Sequence, residues 1–158
     1  MEAESYANEE VADFINQNFL PVTINVKLSP ALFHRFEVLW TPAVVVLDHD
    51  GKERFRTEGY LPREEFVAQL EMGLARVAFV HKQWAEAEKR YTTVVRDHAT
   101  SKSVPEAMYW GAVSYYSKTK DHKVLGRVGE ELAQKYPGNL WTEKASVWMP
   151  AAPQVKSA

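Results

Sequence analysis

The spacing of apolar residues changes several times in the first part of the chain, and each change marks a new element. Behind Asn8, a residue type favoured at helix starts, apolar side chains recur at helical spacing and predict a helix over about 8–18: Val11, Phe14, Ile15 and Phe19. The next segment, VTINVKL (22–28), alternates apolar and polar residues, which predicts a strand. Ser29 and Pro30 then open a short predicted helix that extends to about residue 37.

A predicted β-hairpin follows. Residues 43–47 (AVVVL) form an unbroken apolar run, so we expect a strand that is covered on both faces. The Asp50-Gly51 pair favours a tight reversal into a second strand over 53–60. Pro62 and the two acids after it predict a further helix that ends near residue 72. The element order to this point is therefore α-β-α-β-β-α.

Helical spacing continues through the rest of the chain without strand-like alternation. Residues 74–100 predict two short helices that divide near Lys82 and Gln83, and 106–137 predict a second pair. A last helix is expected over about 139–148. Residues 150–158 contain two prolines and almost no large apolar side chains, so we expect a flexible tail.

Composition indicates a globular protein without a nucleic-acid or membrane role. The 158 residues are 46% hydrophobic and carry a formal net charge of −2, and no basic stripe offers a surface for phosphates. No window approaches the roughly 18 consecutive apolar residues of a membrane span, and MEAESYANEE lacks the pattern of a signal peptide. As written, the sequence indicates a cytoplasmic protein. A signal located upstream of Met1 would change that expectation.

The chain offers little of the chemistry that catalysis or metal binding requires. It contains no cysteine, which excludes disulfides, thiolate nucleophiles and cysteine-ligated metals within these residues. Its five histidines are scattered, and no two share the i, i+4 spacing of a metal-binding helix. Paired acids such as Glu9 and Glu10 point in different directions on a helix. We therefore identify no catalytic residue, no metal site and no cofactor.

Residues 1–72 resemble the later part of a thioredoxin-like domain. The elements above occur in the order of that family, and the Thr41-Pro42 turn before the hairpin matches its characteristic turn. In the family this proline is cis, and the residue before it offers backbone hydrogen bonds to an extended substrate. The resemblance therefore implies that Trp40, Thr41 and Pro42 contribute to peptide binding.

The resemblance also implies that a segment is missing. Family members of this kind carry Cys-x-x-Cys after a central strand, and this sequence begins where that motif should just have ended. One interpretation is a redox-inactive thioredoxin-like protein that binds proteins or peptides. A second is a fragment of a thiol-disulfide oxidoreductase whose Cys-x-x-Cys lies upstream of Met1.

Without the central strand, segments 22–28 and 43–47 are left with unpaired inner edges, and each buried unsatisfied backbone group costs about 1 to 3 kcal/mol. We expect the gap to close by direct pairing of these two strands, by a strand from another chain, or by partial disorder. Exposed sheet edges add a third interpretation, which is an oligomeric scaffold built from copies of this chain.

Residues 73–149 resemble tetratricopeptide-like helical hairpins. The packing positions of that repeat fall on small and large side chains in turn: Ala75, Trp84, Ala87 and Tyr91. The second copy matches less well, because its turn KTKDHK is longer than the pattern expects. The expected fold class is α/β, with a partial thioredoxin-like sheet and flanking helices over 1–72, followed by an all-α helical-hairpin unit over 73–149.

Aromatic residues are concentrated in this helical unit, and their helical spacing favours a core role for most of them. Tyr109, Trp110 and Tyr116 cannot all face inward on one helix, so we expect one or two at the surface, available to a ligand. The candidate binding residues thus form two sets: Trp40, Thr41 and Pro42 before the hairpin, and Tyr109, Trp110 and Tyr116 in the helical unit. The partner they imply is a protein or peptide.

Overall fold

Helix capping sets the start of the first helix in the computed structural model, which describes residues 8–25 and 27–149. Helix α1 spans Glu9–Asn18. The Asn8 side chain accepts a hydrogen bond from the Val11 N–H at 3.2 Å. The two acids in the first turn interact favourably with the positive end of the helix dipole. The helix predicted from the apolar spacing is confirmed.

The sheet consists of two antiparallel strands joined by the Asp-Gly turn. Strand β1 (Ala43–Leu47) pairs with β2 (Glu53–Glu58), with Val46 opposite Phe55 and a register shift directly after Val46. Gly51 in the turn has a φ of 72°, in the left-handed region that favours glycine. The predicted hairpin is confirmed, and its second strand ends slightly earlier than expected.

One long helix, α3 (Arg63–Val80), runs past residue 72, where the sequence predicted a helix end. Gly73 lies within α3 and faces the sheet. A Cβ added at Gly73 would lie 2.9 Å from Cγ2 of Val46, closer than real side chains approach, so the absent side chain lets α3 come close to β1. The glycine is therefore a packing contact, and the prediction of a helix end near residue 72 was wrong.

Between α3 and residue 149, where the described part of the chain ends, four further helices follow, and each packs against the next. Their bounds are α4 (Trp84–Asp97), α5 (Val104–Thr119), α6 (Lys123–Lys135) and α7 (Leu140–Ala145), with a 3-10 turn at Ser146–Trp148. The predicted division between two helices near Lys82 and Gln83 is confirmed. The flexible tail predicted over 150–158 lies outside the described residues.

Small side chains bring α3, α4 and α5 close together. Ala75 on α3, Ala87 on α4 and Ala107 on α5 are fully buried, and the large side chain of Tyr91 belongs to the same cluster. Alternation of small and large groups fills the space between helices at the density of a protein interior. The resemblance of this unit to tetratricopeptide-like hairpins stays a prediction.

Helix α1 is attached to the helices that follow by an apolar contact and by a charged one. Val11 packs with Phe66 of α3. The Arg90 guanidinium on α4 pairs with the buried carboxylate of Glu71 on α3 at 3.2 Å and donates to the Asn18 side chain at 3.0 Å. A buried carboxylate is costly without a charged partner, so the ion pair between Glu71 and Arg90 holds α3 against α4. Through its further hydrogen bond to Asn18, Arg90 also joins the end of α1 to these two helices.

The strand predicted over 22–28 does not form, so that prediction was wrong for the residues that the structure describes. The Asn25 side chain accepts hydrogen bonds from the N–H of Lys27 at 2.9 Å and of Leu28 at 3.3 Å. This local turn takes up N–H groups that a sheet would otherwise use. Val26, inside the same predicted strand, lies outside the described residues.

Strand β1 is not buried on both faces, and the expectation of a fully covered strand was wrong. Val46 is 4% exposed and lies against α3, whereas Leu47 is 38% exposed. Helix α2 (Pro30–Arg35) does not supply the second cover, because it has six residues and none of them is buried. The continuous apolar run therefore leaves apolar surface at the hairpin.

The contact at Gly73 predicts a difference between two glycine substitutions in helices. Gly73→Ala should destabilise the protein, because about 2 kcal/mol of overpacking against Val46 exceeds the roughly 1 kcal/mol that alanine gains in helix preference. Gly111→Ala is the matched control on α5, where the nearest atom would lie at an ordinary 3.4 Å, so its stability should be equal or higher. Urea unfolding measures both, and equal midpoints for the two variants would contradict the packing role of Gly73.

Candidate functional site

The segment before strand β1 is apolar and exposed. Leu39 is 86% exposed, Trp40 is 70% exposed, and Thr41 and Pro42 are also exposed. The Thr41–Pro42 peptide bond is cis, and the Pro42 carbonyl accepts a hydrogen bond from the Gly59 N–H at 2.8 Å. We call this segment, together with the side of strand β1 that faces away from β2, the β1 edge.

No strand occupies the second side of β1 in the described part of the chain. Residues of an antiparallel pair alternate between hydrogen-bonded and non-bonded positions, and the bond between Gly59 and Pro42 fixes the phase of that alternation. The N–H and C=O groups of Ala43 and Val45 therefore point away from β2. They form a short row of donors and acceptors with which an extended chain can pair.

Charged side chains of β2 hold the segment that leads into the β1 edge. The Arg56 guanidinium donates to the carbonyl oxygen of Phe36, and the Glu58 carboxylate accepts from the Leu39 N–H at 3.3 Å. Arg56 also pairs with Glu53 at 2.6 Å and with Glu58 at 3.0 Å. The hydrogen bonds that Arg56 donates to the Glu53 carboxylate raise the pKa of Arg56 further above its ordinary value, so the guanidinium stays charged.

A buried carboxylate fixes the turn at the other end of the hairpin. Asp48 accepts hydrogen bonds from the N–H groups of Asp50 and Lys52, each at 3.0 Å, and from Nε of Arg54 at 2.6 Å. Nε2 of His81, just after α3, lies 3.1 Å from the same carboxylate. Burial alone would raise the pKa of Asp48, but these bonds outweigh it and lower the pKa well below its ordinary value.

Aromatic side chains of the helical unit form a row of contacting rings across α3, α4, α5, α7 and the C-terminal turn: Phe79, Trp84, Tyr109, Trp110, Trp141 and Trp148. The Trp110 ring lies 5.1 Å from that of Phe79, and Tyr109 stacks on Trp148 at 4.4 Å. Tyr109 and Trp110 are half-buried and pack against two different core clusters. Their positions agree with the core role that helical spacing favours for most aromatic residues of this unit.

Tyr116 is the exposed member of the second set of candidates. Its side chain is 36% exposed, and the Nζ atom of Lys120 lies 5.8 Å from its ring centre. Within the described residues its ring contacts none of the rings in the row. Tyr116 is therefore the most exposed aromatic residue of α5.

Two cations lie over the row of rings. The guanidinium of Arg76 is 4.8 Å from the Trp110 ring centre, and Nζ of Lys144 is 3.9 Å from that of Trp141.

Burial raises the pKa of the half-buried Glu106, although the charges of Arg76 and Lys144 oppose the shift. The folded state therefore favours protonated Glu106, so this carboxylate lowers stability as the pH rises through its raised pKa.

The structure separates the six candidate residues into two places: Trp40, Thr41 and Pro42 at the β1 edge, and Tyr109, Trp110 and Tyr116 on α5.

Sequence reasoning missed the charged side chains that position the edge, Arg56 and Asp48. The charged residues of ERFRTE offered a signal for Arg56, because Arg56 and Glu58 are two residues apart and therefore share one strand face. Nothing in the sequence distinguishes buried Asp48 from an exposed acid in a turn.

Within residues 8–25 and 27–149, no three His, Asp or Glu side chains form a group able to hold a metal ion. In the same residues, no helix has both the length and the apolar character that crossing a bilayer demands.

Comparison with known proteins supports the resemblance of the N-terminal part. Residues 1–73 match the family model described as a thioredoxin-like domain. This part of the chain therefore carries a thioredoxin-like domain, and the β1 edge belongs to it. No curated protein and no solved structure matches the chain significantly.

The lowered pKa of Asp48 predicts how stability depends on pH. An unfolded Asp titrates near 3.9, so the stabilisation from Asp48 is complete above that pKa and is lost as the pH falls toward the lower folded value. We expect the wild-type free energy of unfolding to drop below about pH 5, and we expect Asp48→Asn, already less stable at neutral pH, to drop less.

Urea unfolding at neutral pH and again in mild acid measures this difference. Asp50→Asn is the matched control, because the neighbouring Asp50 side chain is 51% exposed and should leave the wild-type pH dependence unchanged. If Asp48→Asn retained the full wild-type loss of stability in acid, the role assigned to the buried carboxylate would be wrong.

Proposed function

We propose that this protein binds other proteins by holding an extended peptide along the β1 edge. The observation that carries the proposal is the 70% exposure of Trp40 beside strand β1 of a thioredoxin-like domain, whose second side has no partner strand within the described residues. Large exposed apolar side chains grouped in one place mark interaction sites on soluble proteins. An open strand next to them adds the backbone groups that an extended ligand needs.

The two parts of the edge contribute differently to binding. The outward N–H and C=O groups of Ala43 and Val45 pair with any extended backbone, so they supply affinity without reading the ligand sequence. Leu39 and Trp40 supply apolar contacts, which select segments with apolar side chains at alternate positions. Tryptophan suits this role because it offers a large apolar area with few rotatable bonds.

The helical unit enters the proposal as a tetratricopeptide-like support with its own accessible aromatic residue. Tyr109 and Trp110 contribute to the packing between helices, whereas Tyr116 is exposed on α5. A longer partner held at the β1 edge would find in Tyr116 a second contact for an apolar or cationic group.

We also propose that the chain itself performs no thiol chemistry. It contains no cysteine, so it cannot form the mixed disulfide through which thiol-disulfide exchange proceeds. A thiol-dependent insulin reduction assay on this chain should remain at the background rate. A rate above the no-protein control would contradict this part of the proposal.

Replacement of Trp40 tests the binding function. Random short peptides displayed on phage are selected on the immobilised protein, and the affinity of one enriched, labelled peptide is then measured by fluorescence anisotropy. Trp40→Ala should weaken binding by roughly tenfold or more, as expected for a central apolar anchor. Because Trp40 is exposed, the thermal unfolding midpoint should change little.

Leu140→Ala is the control, because Leu140 is 57% exposed but lies on α7. It should bind the selected peptide as the wild type does. Equal affinity of Trp40→Ala and wild type, or the absence of any enriched peptide, would overturn the proposal. Trp110→Ala is less suitable for this test, since Trp110 packs against the helical core and its loss lowers stability.

A further inference from the structure

We propose that the extended segment received by the β1 edge is residues 20–28 of a second copy of this chain. The inference rests on the proposed peptide-binding edge and names its partner. Each copy places its segment on the edge of the other, so that the two contacts are related by a twofold axis. In the resulting dimer each sheet gains a third strand.

Residues 20–28 have the sequence of a strand but no sheet to join within the described part of the chain. LPVTINVKL alternates β-branched or aliphatic residues with polar ones from Val22 onward. Leu20 is 96% exposed, Val22 is 80% exposed and Leu28 is 81% exposed. Ile24 between them is half-buried, and the three exposed apolar side chains give the segment surface that pairing with a strand edge would cover.

The receiving edge complements this segment in both backbone and side chains. Within the described part of the chain, no strand pairs with the outward N–H and C=O groups of Ala43 and Val45, and an incoming strand would supply partners for them. Leu39 and Trp40, at the entrance to the strand, are as exposed as the apolar residues of the segment. Apolar side chains on the segment therefore meet apolar side chains on the edge.

A second copy supplies the segment more readily than the same copy does. Within the described residues of one chain, Asn25 closes a local turn before helix α2, and strand β1 pairs with β2 alone. A segment from another molecule is not joined to the edge through helix α2, and on pairing it would exchange the hydrogen bonds of the Asn25 turn for hydrogen bonds to the edge. Reciprocal exchange closes the assembly at two copies.

The buried area agrees with a dimer. Five large apolar side chains in each copy, all at least 70% exposed, would be covered: Leu20, Val22, Leu28, Leu39 and Trp40. Covering one such side chain corresponds to roughly 60 to 120 Å² of apolar area, so two copies together bury on the order of 900 Å². When the area of the paired backbone is added, the total buried area reaches about 1,000 Å², the size that a specific interface needs.

Light scattering after size-exclusion chromatography tests the proposal on the whole chain. At high micromolar concentration the wild type should have twice the 18.1 kDa mass of one chain. Val22→Lys should reduce the mass to that of one chain. Val147→Lys is the matched control, because Val147 is also 80% exposed but lies after α7, and it should remain dimeric. Circular dichroism should show that both variants keep the wild-type helix content.

A synthetic peptide LPVTINVKL provides a second measurement. In excess, it should convert the wild-type dimer into single chains with bound peptide, and the same peptide with proline in place of Thr23 should not, because proline removes a pairing N–H. A wild type that stays a single chain at high micromolar concentration, or a Val22→Lys variant that remains dimeric, would overturn the inference.

The two proposals fail in distinguishable ways. Val22→Lys leaves the β1 edge intact, so it should still bind the phage-selected peptide through Trp40. If the wild type is a single chain but binds that peptide, the exchange between copies is wrong and the peptide-binding function stands. If the wild type dimerises but Trp40→Ala dimerises equally well, the dimer does not use this edge and the inference is wrong.

Discussion

The close approach of helix α3 to strand β1 is the contact on which the rest of the structure depends. A two-stranded hairpin alone is at best marginally stable in water, so the sheet needs a helix against one face. Gly73 makes this possible, because any side chain at that position would collide with Val46. The opposite side of α3 packs on α4, and that packing continues through the later helices. One helix thus supports both the β1 edge and the helical unit.

Hydrogen bonds fix the two ends of the β1 edge, while its backbone groups between those ends remain open to a ligand. Arg56 and Glu58 hold the backbone before it, and Asp48 holds the turn at the far end of the hairpin. The side between these fixed points has no partner strand within the described residues. An edge whose ends are held by hydrogen bonds loses little conformational freedom when a ligand pairs with it, which favours binding.

The elements predicted correctly from the sequence are those whose signals lie in residues close together in the chain. Asn8 marked the first helix and the Asp-Gly pair marked the hairpin, because a cap and a tight turn depend on residues close in the chain. The alternation in 22–28 predicted a strand that does not form among the described residues of that segment, since pairing needs a neighbour and Asn25 makes a local turn instead. The helix end predicted near residue 72 was wrong, because the course of α3 past Gly73 depends on contacts with residues distant in the chain.

The candidate site was predictable to a similar extent. The exposed turn at Trp40, Thr41 and Pro42 followed from the resemblance, which the match over residues 1–73 supports. The burial of individual aromatic residues did not follow, because helical spacing does not tell which of Tyr109, Trp110 and Tyr116 faces a neighbouring helix. That choice is made by Phe79 and Trp148, which come from other elements.

The continuity of α3 also limits how this protein can be dissected. A fragment that stops at residue 73 would keep the hairpin but lose the second half of the helix and also His81 just after it, whose imidazole contacts the turn through Asp48. It would also expose Ala68 and Met72 of α3, which lie in a cluster with buried residues of α4. Shortened versions for expression or crystallisation must therefore begin or end outside residues 63–97, so that the hairpin is kept together with α3 and α4.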